Sequence, residues 1–268
     1  MNRVEKPDHI PLHGPEDFAG MRAAGRLAAE TLDFITPYVV PGVTTLELDR
    51  LCAEFIVKHG AVNAPLGYRG YPKSICTSPN HVVCHGIPSE KKLNKGDILN
   101  IDVTPILDGW HGDASRMYFV GPPTVKGRKL VEATYHALMA AIDLVRPGAT
   151  LGDLGYAIQS YVEPLRYTVV RDFCGHGVGR KFHEPPNVMH FGRRGEGIRL
   201  KEGMIFTIEP MINAGEAETR ILADGWTAVT RDKSLSAQFE HTIGVTKDGV
   251  EIFTLSPKGW HCPPFAVK

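Results

Sequence analysis

Hydrophobic residues recur at helical spacing in two stretches of the chain. The first, VPGVTTLELDRLCAEFIVKH, begins at Val40 and has apolar residues at 48, 52, 55 and 56. The second, RPGATLGDLGYAIQSYVEPL, begins at Arg146 and has apolar residues at 154, 158, 161 and 162. Apolar residues spaced three and four apart lie on one face of a helix. Each stretch therefore predicts a helix with one apolar face.

The two stretches also match residue by residue, which indicates an internal repeat. Identical residues recur at an offset of 106 residues: Pro41, Gly42, Thr44 and Leu48 match Pro147, Gly148, Thr150 and Leu154. In both stretches an acid follows the threonine by three residues (Glu47 and Asp153), which predicts a capping box at each helix start. Farther along, KGDILNID matches EGMIFTIE at an offset of 107, and this match pairs Asp102 with Glu209.

Each half of the repeat predicts two helices followed by a strand hairpin, since a further helix is expected around 21–36 and around 128–145. Two such units predict one α+β domain over residues 1–268, with pseudo-two-fold halves at roughly 20–120 and 128–250 and short extensions at both ends. The antiparallel sheet is expected to be lined on one side by two pairs of helices. Chance similarity between amphipathic helices is the alternative, and two separate matches at nearly one offset argue against it.

Acidic residues interrupt the apolar runs of the predicted hairpin NIDVTPILDGWHGD, residues 100–113. If Asp108 and Gly109 form a two-residue turn, Thr104 lies opposite Asp113, and Asp102 lies diagonally adjacent on the same face. An unpaired buried carboxylate costs several kcal/mol or more, so a compensating charge is required. A buried Arg or Lys, a proton or a metal ion could supply that charge.

The second half carries equivalent acids, Glu209 in MIFTIEPMI and Glu240 in SAQFEHTIGV. A lone acid in a strand is more often a solvated edge residue or an ion-pair partner, but four acids related by the repeat favour a common site. Glycines flank His176 in CGHGVGRKFHEPP and allow close backbone approach, so this residue is a candidate nitrogen ligand. His183 and His85 are further candidates, and each could also be a structural histidine.

Charge counting favours two metal ions over the other compensating charges. Four carboxylates carry four negative charges, which two divalent cations neutralise. Four shared carboxylates and one imidazole suit a two-metal site with ions about 3.5 to 4 Å apart, a spacing that permits a bridging hydroxide as the attacking group. Mixed oxygen and imidazole ligation favours Mn, Fe, Co or Zn over Mg.

Composition restricts the class of protein. The chain has 268 residues, 43% of them hydrophobic and 22% charged, as in soluble globular proteins. Its 30 basic and 30 acidic residues give no net charge that would attract nucleic acid or an anionic membrane broadly. No stretch reaches the roughly 18 apolar residues of a membrane span and the start has no signal-peptide core, so a cytoplasmic protein is expected.

Cysteine spacing agrees with a reducing compartment. The five cysteines include no CxxC pair, and we expect reduced thiols. A nucleophilic cysteine beside a histidine is an alternative, because Cys84 precedes His85 and Cys174 lies two residues before His176.

Six segments together resemble the motifs of the methionine aminopeptidases of the type I, bacterial-like class, and the resemblance runs from roughly Phe18 to Pro257. The segments are KSICTSPNHVVCHGIP, NIDVTPILDGWHGDASRMYFVG, CGHGVG, FHEPP, FTIEP and SAQFEHTI. The resemblance implies the pita-bread fold and removal of the initiator methionine from nascent proteins with a small second residue. It makes five residues the ligands of two divalent metal ions: Asp102, Asp113, His176, Glu209 and Glu240.

The same resemblance implies roles for other residues. Glu209 would take a proton from water and pass it to the leaving amine, His183 would stabilise the oxyanion, and His85 would contact the scissile amide nitrogen. The substrate's free amine would bind one metal ion. The walls of the methionine pocket would be Tyr68, Tyr71, Cys76, Phe182 and Trp226, with His85 and His183 also binding substrate.

Some features of the sequence bear on subclass and partners. Pro65 stands where several relatives have another pocket-wall cysteine. Asn80, Val82 and Ser236 resemble a loop-bound site for one monovalent cation. There is no room between His183 and Glu209 for the helical insertion of type II enzymes, and no cysteine-rich extension precedes residue 18. A monomer is expected, with the ribosome as a candidate partner, whereas the tail KGWHCPPFAVK has no predicted position.

Two alternatives stay open at this point. Proline-directed aminopeptidases or dipeptidases of the same fold share all five ligands, but they usually carry an additional N-terminal domain, and VCHGIP favours the methionine enzymes. A metal-free pita-bread protein that only binds a partner would be expected to lack ligands, and none is missing.

Overall fold

The computed structural model describes residues 10–265, which form four α-helices. These are α1 Pro15–Ile35, α2 Thr45–Lys58, α3 Val125–Ile142 and α4 Leu151–Val162. All four were predicted, but two bounds differ. The helix α1 begins at Pro15 rather than near 21, because proline suits the first helical position and Asp17 accepts a hydrogen bond from the Gly14 N–H. The helix α3 begins at 125, after Thr124 caps the Gly127 N–H.

The two amphipathic helices start in related but not identical ways. At α4 the capping box is complete, because Thr150 accepts from the Asp153 N–H while Asp153 accepts from the Thr150 N–H. At α2 only half of the prediction is correct: Thr44 accepts from the Glu47 N–H, but the Glu47 carboxylate pairs with Arg50.

The apolar faces of these helices are buried nearly as predicted. Leu48, Cys52 and Ile56 of α2 are fully buried. In α4, Leu154, Ile158 and Val162 are buried too, whereas Tyr161 is 39% exposed and lies off this face.

Seventeen strands are present within the described residues, and they form one large sheet and three small ones. The strands are β1 Val62–Asn63, β2 Cys76–Pro79, β3 Val82–Cys84, β4 Ile98–Val103, β5 Pro105–Leu107, β6 Trp110–His111, β7 Ala114–Phe119, β8 Thr168–Val169, β9 Gly175–Gly177, β10 Glu184–Val188, β11 Ile205–Ile208, β12 Met211–Asn213, β13 Thr219–Ile221, β14 Ala228–Thr230, β15 Ser236–Gln238, β16 Glu240–Val245 and β17 Val250–Ile252.

The large sheet shows the predicted pseudo-two-fold arrangement. Its order is β10-β9-β11-β16-β7-β4-β2, with β17 on β16, and every pairing in it is antiparallel. The first-half strands β4 and β7 mirror the second-half strands β11 and β16, and the β7–β16 pair joins the halves. Helices α1 and α2 pack with β4 and β7 in one apolar cluster, while α3 and α4 pack with β11 and β16 in another. The α+β fold expected from the repeat is therefore confirmed.

The hairpin at residues 98–119 keeps the predicted register along its whole length. The pairs run from Ile98 with Phe119 to Leu107 with Trp110, with no shift between them. Asp108 and Gly109 form the turn with positive φ angles of 49° and 79°, as a type I′ turn requires.

The C-terminal tail, for which no position was predicted, packs on the first half of the repeat as far as residue 265. Ser256 donates a hydrogen bond to Asp33 of α1, and the Phe265 ring lies 5.6 Å from that of Tyr118. Within residues 10–265, none of the helices combines the length and the apolar character that a bilayer crossing needs.

Candidate metal centre

Five neighbouring strands of the large sheet each bring one of the five predicted ligands to a single cavity. Asp102 lies on β4, Asp113 directly before β7, His176 on β9, Glu209 directly after β11, and Glu240 at the start of β16. All five line a cavity of about 480 Å³. In the strand pairing, Ser115 lies opposite both Asp102 and Glu240, so these acids flank the join between the two halves.

Three of the five residues bring their possible ligand atoms close enough together to hold a metal ion, and Asp102 and Glu209 are not part of that group. Atoms of Asp113, His176 and Glu240 all lie within 4.8 Å of one another. The Nε2 atom of His176 is 3.5 Å from Asp113 Oδ2 and 3.7 Å from Glu209 Oε1. As the hairpin register predicts, Thr104 lies opposite Asp113, and its hydroxyl donates a hydrogen bond of 2.7 Å to Asp113 Oδ1.

His176 presents the nitrogen that a metal requires. Its Nδ1 lies 3.1 Å from the Gly177 carbonyl oxygen. Because a carbonyl oxygen only accepts, Nδ1 carries the proton, and the Nε2 lone pair faces the carboxylates. Burial lowers the pKa of His176 to about 4, so the ring is neutral at higher pH and able to act as a ligand.

The four carboxylates are in an unfavourable environment for negative charge. Burial raises the pKa of Asp102 to about 7 and that of Glu209 to about 8. The pKa values of Asp113 and Glu240 lie well above their usual range, first because of burial and then because of the neighbouring carboxylates. Among residues 10–265, the ion-pair contacts of these four acids are those with His176 alone.

This pattern removes one of the compensating charges considered from the sequence. Within the described part of the chain no Lys or Arg pairs with the four acids, so that source of charge is excluded. A set of four carboxylates, two buried and two partly buried, with one neutral imidazole fits divalent cations, which favour oxygen and nitrogen donors.

Neutral groups that were not predicted from the sequence hold both oxygens of Glu209. Thr207 donates its hydroxyl to Oε1 at 2.8 Å, and Gln238 donates its amide to Oε2 at 3.2 Å. The Glu209 N–H donates to Nε2 of the fully buried His190. Strand alternation could have identified Thr207, two residues before Glu209, whereas nothing in the sequence pattern indicates His190.

Histidine and aromatic rings form the walls of the cavity. The His183 ring centroid lies 4.0 Å from that of His176, and Tyr68 stacks on His183 at 5.2 Å. The His85 ring contacts Phe173 and Trp226 edge to face, at 5.5 and 6.2 Å. The predicted substrate residues all line the cavity: Tyr68, Tyr71, Cys76, His85, Phe182, His183 and Trp226. Pro65 lines it too.

Several lining residues were missed by reasoning from sequence. They are Arg69, Asp172, Phe173, Glu184, Pro185, Asn187 and Met211. Their side chains approach the cavity from loops and strands whose relative positions depend on the folded chain, so their spacing in sequence carries no signal.

The cysteines form no disulfides, as expected. Burial raises the pKa of the Cys76 and Cys84 thiols well above the usual range, which keeps them protonated and argues against a cysteine nucleophile at these positions.

The three residues of the expected monovalent cation site lie outside the cavity lining. The Ser236 N–H donates to the Asn80 carbonyl oxygen at 2.8 Å, and Val82 lies on β3, two residues beyond Asn80. The Ser236 hydroxyl is buried without a hydrogen-bond partner among the described residues. An orphaned oxygen next to a carbonyl group is compatible with a bound cation.

Comparison with known proteins identifies close relatives. Residues 19–247 match metallopeptidase family M24. The chain is 64% identical over 257 residues to the methionine aminopeptidase of Rickettsia prowazekii, covering 96% of this chain and 99% of the relative. It is 57% identical over 248 residues to the methionine aminopeptidase of Escherichia coli K12, covering 92% of this chain and 94% of that relative. The crystal structure of the R. prowazekii protein matches with a TM-score of 0.91, covering 92% of this chain and all of that one.

Proposed function

Because the chain belongs to metallopeptidase family M24, we propose that it is a metal-dependent aminopeptidase that removes the N-terminal methionine from peptides and nascent proteins. The observation that carries this proposal is the convergence of four buried or partly buried carboxylates and a neutral imidazole on one cavity, with no Lys or Arg ion-paired to them among the described residues. The identity with two methionine aminopeptidases over most of the chain supports the substrate.

The metal ions proposed here are two divalent cations, from the set Co, Mn, Fe and Zn. The residues that would hold them are Asp102, Asp113, His176, Glu209 and Glu240. Divalent ions at such a site lower the pKa of bound water to near neutrality and polarise a carbonyl group as Lewis acids. The neutral Nε2 of His176 and the absence of a competing ion pair among the described residues support this ligand set.

Glu209 is proposed to move the proton in the reaction. It would accept a proton from the attacking water and deliver it to the amine that leaves. The hydrogen bonds from Thr207 and Gln238 fix both carboxylate oxygens, so the group can exchange a proton without losing its orientation.

Two histidines are proposed to act on the scissile bond. His183, packed between His176 and Tyr68, would donate a hydrogen bond to the oxyanion that develops on the carbonyl carbon. His85, held between Phe173 and Trp226, would contact the scissile amide nitrogen. Burial lowers the pKa of both rings, to about 3 for His183, so each is neutral and keeps one N–H donor.

The proposed methionine pocket is formed by the remaining walls of the cavity. An apolar pocket with aromatic and sulfur contacts suits a thioether side chain. The Tyr71 and Trp226 rings meet edge to face at 5.1 Å, and Phe182 lies 4.9 Å from Tyr68. Cys76 supplies a sulfur in the same lining.

Other parts of the proposal concern the setting of the reaction. We propose that the substrates have a small second residue and that the enzyme is a cytoplasmic monomer. We further propose that a monovalent cation binds at Asn80, Val82 and Ser236 and that the ribosome is a partner. Free cysteines are consistent with a reducing compartment, and the orphaned Ser236 hydroxyl supports the cation.

Peptidase assays on metal-stripped and reconstituted protein test the function. With Mn or Co restored, we expect release of methionine from Met-Ala-Ser, loss of activity with a chelator, and no comparable cleavage of Xaa-Pro peptides. Cleavage of Xaa-Pro peptides alone would overturn the substrate assignment. Absence of both cleavage and calorimetric metal binding would favour a non-catalytic binding protein instead.

A further inference from the structure

Arg69 is the one Lys or Arg side chain among the described residues that line the cavity. Arg69 is exposed, which places it where the cavity opens to solvent. Within residues 10–265 it forms no ion pair, and its guanidinium group lies over the Tyr68 ring. A guanidinium group with no carboxylate partner at the mouth of a substrate cavity is free to bind one from the substrate.

The loop that carries Arg69 holds it in a defined position. The Gly67 N–H donates to the Tyr71 carbonyl oxygen at 2.8 Å, and the Tyr71 N–H donates to the Tyr68 carbonyl oxygen at 2.9 Å. Arg69 itself has φ +48°, an uncommon conformation for a residue other than glycine. Its guanidinium carbon lies 5.2 Å from the centre of the Tyr68 ring, a cation–π contact that further restricts it.

Arg69 is connected to one side of the reaction centre. Tyr68, beneath the guanidinium group, stacks on His183, the residue proposed to stabilise the oxyanion. The acidic residue Asp172 is also exposed in the lining, but it precedes Phe173, whose ring contacts His85. Outside the five predicted metal ligands, the lining therefore carries the positive charge of Arg69 and the carboxylates of Asp172 and Glu184.

We propose that Arg69 binds a carboxylate side chain of the substrate downstream of the scissile bond, at the third or fourth residue. This inference rests on the proposed function, since methionine must occupy the closed end of the cavity for the later residues to leave past its mouth. An arginine fork binds a carboxylate with two parallel hydrogen bonds, which a lysine cannot reproduce. Arg69 thereby makes the enzyme favour acidic over basic residues after the cleaved bond.

Two matched peptide series test the inference. The peptides are Met-Ala-Xaa-Gly and Met-Ala-Gly-Xaa, with Glu, Gln or Lys at Xaa, and kcat/KM is measured on the metal-loaded enzyme. In at least one series we expect kcat/KM for the Glu peptide to exceed kcat/KM for the Lys peptide roughly fivefold at low salt. This ratio should decrease at high salt because exposed charges are screened. In Arg69→Gln the ratio should approach one, and in Arg69→Glu it should invert.

Arg194 provides a matched control. Its guanidinium carbon lies 4.6 Å from the Tyr156 ring, a similar contact, but Arg194 does not line the cavity. Arg194→Gln should therefore keep the wild-type ratio of Glu to Lys peptides.

The charge preference of the wild type and of the two glutamine variants decides whether Arg69 binds the substrate carboxylate. A ratio that falls in Arg69→Gln and persists in Arg194→Gln supports the inference. A wild-type enzyme that cleaves all the peptides without charge preference in either series, or a preference unchanged in Arg69→Gln, overturns this inference and leaves the proposed function intact. Failure of the metal-loaded wild type to cleave any of these peptides overturns the proposed function and this inference with it.

Discussion

The two faces of the large sheet both carry buried acids, but they compensate the negative charge differently. On the metal-centre face, four carboxylates contact only His176 as an ion-pair partner within the described chain. Behind the same sheet, Asp33 of α1 accepts a hydrogen bond of 2.7 Å from Arg116 of β7, and Ser256 also donates to it. Both side chains of that ion pair are at most 5% exposed.

The difference shows where the chain itself supplies the compensating positive charge and where a bound ligand must supply it. Ser115 and Arg116 are neighbours on β7, and strand alternation sends their side chains to opposite faces. The rear face, on the helix side of the sheet, therefore has its own cation, Arg116, whereas the carboxylates on the front face, at the metal centre, have none. The front face needs a charge from outside the chain and is therefore a binding site, while the rear face is part of the structural core.

Replacing Glu209, the proposed proton carrier on the metal-centre face, should produce the largest effect. In Glu209→Gln we expect kcat for Met-Ala-Ser to fall by about 10³-fold or more, because both general acid–base function and a metal ligand are altered. Steady-state kinetics with Mn restored measures this loss. Unfolding curves for the same variant check that it folds, and turnover within tenfold of wild type would contradict the assigned role.

Breaking the rear ion pair should instead affect stability. Arg116→Met leaves Asp33 buried without its cation, so the free energy of unfolding should fall by about 3–5 kcal/mol. Urea denaturation of the metal-free proteins measures the change.

A surface pair is the matched control for that variant. Arg22 pairs with Glu251 but its side chain is 52% exposed, so Arg22→Met should cost no more than about 1 kcal/mol. Equal losses of unfolding free energy in Arg116→Met and Arg22→Met would show that burial does not make one ion pair more important for stability than the other.

Metal removal should make the stability of the front face depend on pH. Because burial raises the pKa of Asp102 to about 7 and of Glu209 to about 8, the folded metal-free protein binds more protons than the unfolded chain above about pH 4. The free energy of unfolding should therefore decrease as pH rises from about 4 to 8. Bound Mn should reduce this decrease, and identical pH profiles with and without metal would argue against charge compensation by the ions.

The supporting hydrogen bonds should give the smallest effect. Gln238→Leu removes the donor to Glu209 Oε2, and we expect kcat to fall roughly tenfold, as for other groups that orient metal ligands. Gln159 on α4 donates its amide to exposed Glu163 and accepts from the Gly192 N–H, and it does not line the cavity, so Gln159→Leu serves as the control and should keep wild-type kcat. An unchanged kcat in Gln238→Leu would show that Thr207 alone orients the carboxylate.

The sequence predicted the front face better than the rear. The repeat and the Asp-Gly turn determine strand register, and register alone decides which face Asp102 and Asp113 share. By contrast, Asp33 lies 83 residues from Arg116 and 223 from Ser256, and no periodic pattern connects positions so far apart. Arg69 was missed for a similar reason, because its place at the cavity mouth depends on a loop conformation.

Anomalous X-ray scattering shows whether metal ions compensate the charge of the four carboxylates. Crystals of protein purified without added metal, measured at the Mn, Fe, Co and Zn absorption edges, reveal both the position and the identity of bound ions. We predict two anomalous peaks about 3.5 to 4 Å apart among Asp102, Asp113, His176, Glu209 and Glu240. A cavity without such peaks, in crystals soaked with Mn as well as in untreated ones, would contradict this prediction.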